Sequence, residues 1–148
     1  MLKKGRNYLI IFTLILTLII SACSNDNPTS QYHKSAKEFN NLYFEIVECI
    51  DSGNTLKSLE NLHNEENYKK IEELGTIIKT LENKVPKDRE QLYNTFIERY
   101  ENLVFLYESY PKFENLIVDD KIKIHSILIS IGMDKDNWND KDLTIIWD

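Results

Sequence analysis

Beyond residue 30, apolar residues recur at steps of three and four, the period that gathers them on one face of a helix. Tyr32, Ala36, Phe39, Tyr43, Ile46 and Ile50 make the first stripe, widened by Leu42 and Val47. Ser30 suits its N-cap. Asp51, Ser52, Gly53 and Asn54 end it, with Gly53 fitted to a left-handed cap. A second segment covers residues 55–85 and stops at Pro86. Ile71, Leu74, Ile78, Leu81 and Val85 form one stripe there, and Leu56, Leu59 and Leu62 form another. The two join only through His63 and Asn67, which leaves two readings open. Either the helix breaks around residues 63–67, or it runs unbroken for about 31 residues, roughly 46 Å, and overhangs its neighbours. The third segment, residues 88–110, is the most regular. Tyr93, Tyr100 and Tyr107 recur every seventh residue, interleaved with Phe96, Leu103 and Tyr110. Asp88 and Glu90 favour its N-terminal turn, and Pro111 ends it.

The remaining third of the pattern is weaker. Residues 113–118 form a linker with apolar anchors. Residues 119–131 predict a fourth helix, with Ile124, Leu128 and Ile131 on one face and Gly132 as its stop. The alternation Ile122, Ile124, Ser126 also fits a strand. Residues 133–141 form an acidic, Asn-rich loop, and residues 142–147 a short packed helix or extended piece. Short connections between amphipathic helices imply antiparallel neighbours. The fold class is therefore all-α: over residues 31–148, an antiparallel bundle of three main helices plus a shorter C-terminal helix.

The first 22 residues follow a different pattern. Lys3, Lys4 and Arg6 precede an uncharged, strongly apolar run from Tyr8 to Ile20, followed by the small residues Ser21 and Ala22. That order is the anatomy of a secretory signal. The run is short for a membrane span, which needs about 20 apolar residues. Ile20-Ser21-Ala22-Cys23 resembles the lipobox of bacterial lipoproteins: aliphatic, small, small, Cys. The resemblance covers only this segment. It implies that residues 1–22 are removed and that Cys23 becomes a lipidated, palmitate-bearing N-terminus. The protein would then sit lipid-anchored on the extracytoplasmic face of the cell membrane. Two or more acyl chains give stable anchoring, where one is marginal. Residues 23–30 are polar, contain Pro28 and read as a flexible tether.

Charge narrows the partners. The signal carries three basic residues and no acid, so 15 Lys and Arg face 24 Asp and Glu beyond it, a net −9. Nucleic-acid binding depends on Lys and Arg neutralising phosphates, so no nucleic-acid partner is expected. With Cys23 lipidated, Cys49 has no disulfide partner. It reads as a small packed residue, since Glu48 beside it is the wrong sign to activate a thiol.

No arrangement of residues announces chemistry. The acids from Asp134 to Asp142 fail as a calcium loop: the fifth position is Trp138, the sixth Asn139 and the twelfth Ile145. His33, His63 and His125 lack metal-site spacing. The pairs Glu65/Glu66 and Glu72/Glu73 are adjacent on a helix and do not face each other. A phosphate-binding Gly loop, a nucleophile elbow and a Ser/His/Asp set are all missing. Neither a catalytic residue, a metal nor a cofactor is expected, and the chain reads as a non-enzyme. The tyrosines of the third helix serve the core seam, with hydroxyls at its rim. Trp138 and Trp147 are candidate interaction residues, because Trp is enriched at interface hot spots. The expected function is a non-enzymatic module binding an envelope protein. The alternative is a lipoprotein that binds a peptide or glycan in a Tyr-lined pocket between helices. Oligomeric state is left open by stripes that can close within or between chains.

Overall fold

Helix α1 occupies Pro28–Val47 in a computed structural model that describes residues 28–137. Its helical backbone already includes Pro28, inside the segment that reads as tether, and proline fits a first helical turn. The predicted stripe is its inner face: Tyr32, Ala36, Phe39, Tyr43 and Ile46 are all buried. The turn that follows is closed by a side chain. The Gly53 amide donates to Asp51 Oδ1 at 2.9 Å. No glycine among the described residues has positive φ, so Gly53 does not form the left-handed cap its type suggests.

The second segment breaks. Helix α2 spans Thr55–Leu62 and α3 spans Glu65–Glu82. An asparagine caps each one. Asn54 Oδ1 accepts the Lys57 amide at 3.1 Å, and Asn64 Oδ1 accepts the Asn67 amide at 2.9 Å. Asn64 also donates from Nδ2 to the Asn61 carbonyl at 2.9 Å, serving the end of α2 as well as the start of α3. A side chain that meets free groups at both helix ends competes with continuing the helix, which is why the chain turns there.

Helix α4 spans Glu90–Ser109, entered through a 3₁₀ turn at Lys87–Arg89 and followed by another at Tyr110–Asn115. Helix α5 spans Val118–Asn137. The strand alternative fails, since no strand occurs among the described residues. Gly132 is not a stop either, and residues 133–137, read from sequence as loop, are helical. A helix tolerates glycine at a cost of about 1 kcal/mol. Here the missing side chain lets another segment close in: a Cβ at 132 would lie 2.9 Å from Ser52 Oγ. The C-terminal helix is consequently as long as α1 and α4, at 20 residues.

The four long helices, α1, α3, α4 and α5, alternate in direction. Across α3 and α4, Tyr68 meets Tyr107 with ring centroids 5.6 Å apart, and Gly75 meets Tyr100. Seven residues up one helix match seven down the other, so the pair is antiparallel. Across α1 and α3, Glu45 meets Lys70 at 3.6 Å, and Cys49 meets Asn67. Across α4 and α5, Arg99 meets Asp134 and Phe105 meets Lys123. Among the described residues, buried side chains from each of α1 to α5 form a single core, with Phe39, Phe96, Leu74, Leu103 and Leu128 among its members. The fold of the described residues is an all-α antiparallel bundle, and α5 contributes one face to its core.

Candidate functional site

The tyrosines of α4 sit at the rim of the core. Tyr93, Tyr100 and Tyr107 are half-buried and flank the fully buried Phe96, Leu103 and Leu106. Heptad spacing thus gives a rim of amphipathic rings around an aliphatic and Phe centre. Tyr107 stacks on His63 with centroids 4.4 Å apart, and His63 also stacks on Tyr110 at 5.2 Å. His63 Nδ1 lies 3.0 Å from the Tyr107 carbonyl, so a proton on Nδ1 would be donated to that oxygen. The histidine in the helix break is therefore a hydrogen-bonded packing residue. It fastens α2 to α4 where the chain changes direction.

The most concentrated polar contacts join α1, α4 and α5. Arg99 donates from Nε to Asp134 Oδ2 at 3.1 Å and from Nη1 to Asn40 Oδ1 at 3.1 Å. Its guanidinium also covers the Tyr43 ring, 4.9 Å from the centroid. Burial and the neighbouring Asp134 carboxylate push the Tyr43 hydroxyl far up, although Arg99 pulls the other way. A cavity of about 110 Å³ lies beside these groups. That is smaller than the roughly 300 Å³ at which small-molecule pockets begin. The cluster pairs its charges internally and holds helices together.

Between α1 and α3 lies an open groove of about 530 Å³, lined mainly by charged residues, with Lys34, Glu38, Lys70 and Glu73 among them. Lys70 is already paired with Glu66 at 2.9 Å and with Glu45. No tyrosine lines this groove. Cys49 is half-buried; its Sγ lies 3.1 Å from the Ile46 carbonyl, and burial raises its pKa. Among the described residues no group of three His, Cys, Asp or Glu side chains is placed to hold a metal.

What remains is an exposed apolar face on α5. Val118, Ile122, Ile129 and Met133 are 70%, 59%, 45% and 60% exposed. Ile124, Ile127, Leu128 and Ile131 are buried on the opposite side. The four exposed residues fall within about 60° of one another at 100° per residue, given 3.6 residues per turn. Ile117, 64% exposed, precedes the helix beside its first turn. A helix apolar on both faces is ordinarily covered on both. Sequence reasoning found only the inner stripe. Its signal for the outer one was present in Ile122, Ile129 and Met133, but Ile122 was absorbed into an apparent strand alternation.

Cys23, Trp138 and Trp147, the lipidation and interaction residues expected from sequence, lie outside the described residues. No helix among the described residues is long and apolar enough to cross a membrane. Comparison with protein-family models, curated proteins and solved structures finds no match to this chain.

Proposed function

We propose that this chain is a lipid-anchored, extracytoplasmic protein-interaction module without enzymatic activity. Cys23 carries the anchor, and α5 presents the surface that a protein partner in the envelope covers. The carrying observation is the outward stripe Val118, Ile122, Ile129 and Met133 on a helix whose other face already serves the core. Large apolar side chains aligned on one face of a helix, on an otherwise strongly charged chain, support an interaction surface. The lipobox resemblance of Ile20-Ser21-Ala22-Cys23 supports the anchor. A short tether then keeps the domain near the membrane, since the five residues from Cys23 to the helical Pro28 reach at most about 18 Å.

Two measurements test this reading. Growth with an alkyne-tagged palmitate should label the protein, and Cys23→Ser should abolish the label. A photo-crosslinking amino acid at Ile122 should give one dominant protein adduct in cells. The same probe at exposed Lys79 on α3 should give none. Equal background from both positions would sink the assignment of α5 as the working face.

A further inference from the structure

We infer that the α5 face is taken by a second copy of this chain, packed antiparallel across a two-fold axis beside His125 and Ser126. The inference rests on the reading of α5 as an interaction face and names its partner.

The spacing of the stripe carries it. Val118 lies as far before the midpoint between residues 125 and 126 as Met133 lies after it. Ile122 and Ile129 are likewise placed symmetrically about that midpoint. Reversing the helix therefore lays the pattern onto itself. Antiparallel pairing sets Val118 against the second copy's Met133 and Ile122 against its Ile129, all apolar on apolar. A two-fold interface requires this self-complementarity, because each contact occurs twice with the roles exchanged. The residues flanking the axis, His125 and Ser126, are exposed and neither is an acid, so no carboxylate is forced against another at the centre. Within this 20-residue helix the matched positions from Val118 to Met133 span about 22 Å. Two such faces bury on the order of 1,000 Å², the lower limit of a specific interface. Confinement of both copies to one membrane surface raises their effective concentration and favours an interface of that size.

Cysteine crosslinking in membranes of cells making the full chain tests the geometry. At the axis, paired residues on packed helices approach within disulfide range, about 4.4–6.8 Å between Cα atoms. Ser126→Cys should therefore form a disulfide dimer on mild oxidation. Val118→Cys alone should not, because its two copies lie about 22 Å apart along the helices. Val118→Cys and Met133→Cys chains made together should crosslink to each other. The unsubstituted chain, with its hydrogen-bonded Cys49, is the blank. Adding Ile122→Glu to Ser126→Cys should cut the dimer at least tenfold while leaving the far-ultraviolet circular dichroism of the purified protein unchanged. A Val118→Cys dimer as abundant as the Ser126→Cys dimer would overturn the antiparallel pairing. Absence of any dimer from correctly folded Ser126→Cys protein would overturn self-association altogether. Should the Ile122 photo-probe then still capture a different protein, the interaction-module reading survives and only the second copy fails. Should it capture nothing, both fail.

Discussion

The Arg99 guanidinium lies 3.0 Å from the Asp134 carboxylate and ties the late turns of α5 to the middle of α4. The same guanidinium reaches back to Asn40 on α1, which is buried. One side chain thus sets the position of three helices. Both charges keep partial access to water, which moderates their value. Removing the donor is still costly, because it leaves Asn40 Oδ1 without its donor and Asp134 with only the long 3.4 Å contact from the Tyr43 hydroxyl. Arg99→Met, which keeps much of the aliphatic stem, should lower unfolding free energy by about 1–3 kcal/mol. Asp134→Asn should cost less, since the amide preserves shape and one acceptor oxygen. Urea denaturation of the two variants gives the comparison, and an equal or reversed order would contradict the assignment of Arg99 as the hub.

Tyr32 is buried, and its hydroxyl has no hydrogen-bond partner among the described residues. Burial raises its pKa from 10.0 to about 12. The folded state therefore prefers the protonated hydroxyl. Below pH 10 the folded and unfolded chains are both protonated, and the site contributes no pH dependence. Between pH 10 and about 12 the unfolded chain ionises while the folded one does not, so stability falls as pH rises. Tyr32→Phe should be within about 1 kcal/mol of the native chain at pH 7, on the stable side, because it removes an unsatisfied polar atom. Its advantage should widen above pH 10. Thermal melts of both proteins from pH 7 to 11 measure the difference, and a parallel decline would mean that the hydroxyl is satisfied or solvated.

Cys49 is expected to be a slow thiol. Burial pushes its pKa up, outweighing the lowering effects of Asn67, Lys135 and Lys70. The nucleophilic form is the thiolate, so a raised pKa and partial shielding act in the same direction. At pH 7 a thiol-disulfide reagent should label Cys49 at least about tenfold more slowly in the folded chain than in denaturant. Comparable rates would show that the α1 terminus and the α2–α3 break open easily.

The helices were legible because each buries a periodic stripe. Tyr32 to Ile50 are core residues as spaced, as are Ile71, Leu74 and Leu81, with Ile77 buried where the spacing chose the partly buried Ile78, and the break near His63 was marked by two polar residues in an apolar seam. Helix ends were less legible. Gly132 looks like a stop, and only the approach of Ser52, eighty residues earlier, explains why glycine stands inside the helix. The outward stripe of α5 was hidden for a related reason. Two opposed apolar stripes on one helix cancel in a periodicity reading, and burial is needed to tell which is inner. The Arg99 cluster joins residues 40, 99 and 134, a combination no local spacing encodes.

Gly75 and Tyr100 offer a sharper test of the α3–α4 interface. Gly75 sits inside α3, where replacing glycine by alanine ordinarily gains about 1 kcal/mol of helix propensity. A Cβ at this position would lie 2.8 Å from the Tyr100 hydroxyl oxygen and 3.1 Å from Cζ. The obstruction is the outer edge of a half-buried ring, and moving it pushes the tyrosine off its rim position. Gly75→Ala alone should therefore destabilise the protein, the packing loss exceeding the propensity gain. Tyr100→Ala alone should also destabilise, through lost aromatic contact. In the Tyr100→Ala background the sign of the first substitution should reverse, because the obstruction is gone and only the helix preference remains. The coupling between the two, read from a double-mutant cycle in urea, should be at least about 1 kcal/mol. Additive effects would mean that the helices do not approach at this point, and would undo the antiparallel register that places Tyr68 against Tyr107 seven residues away.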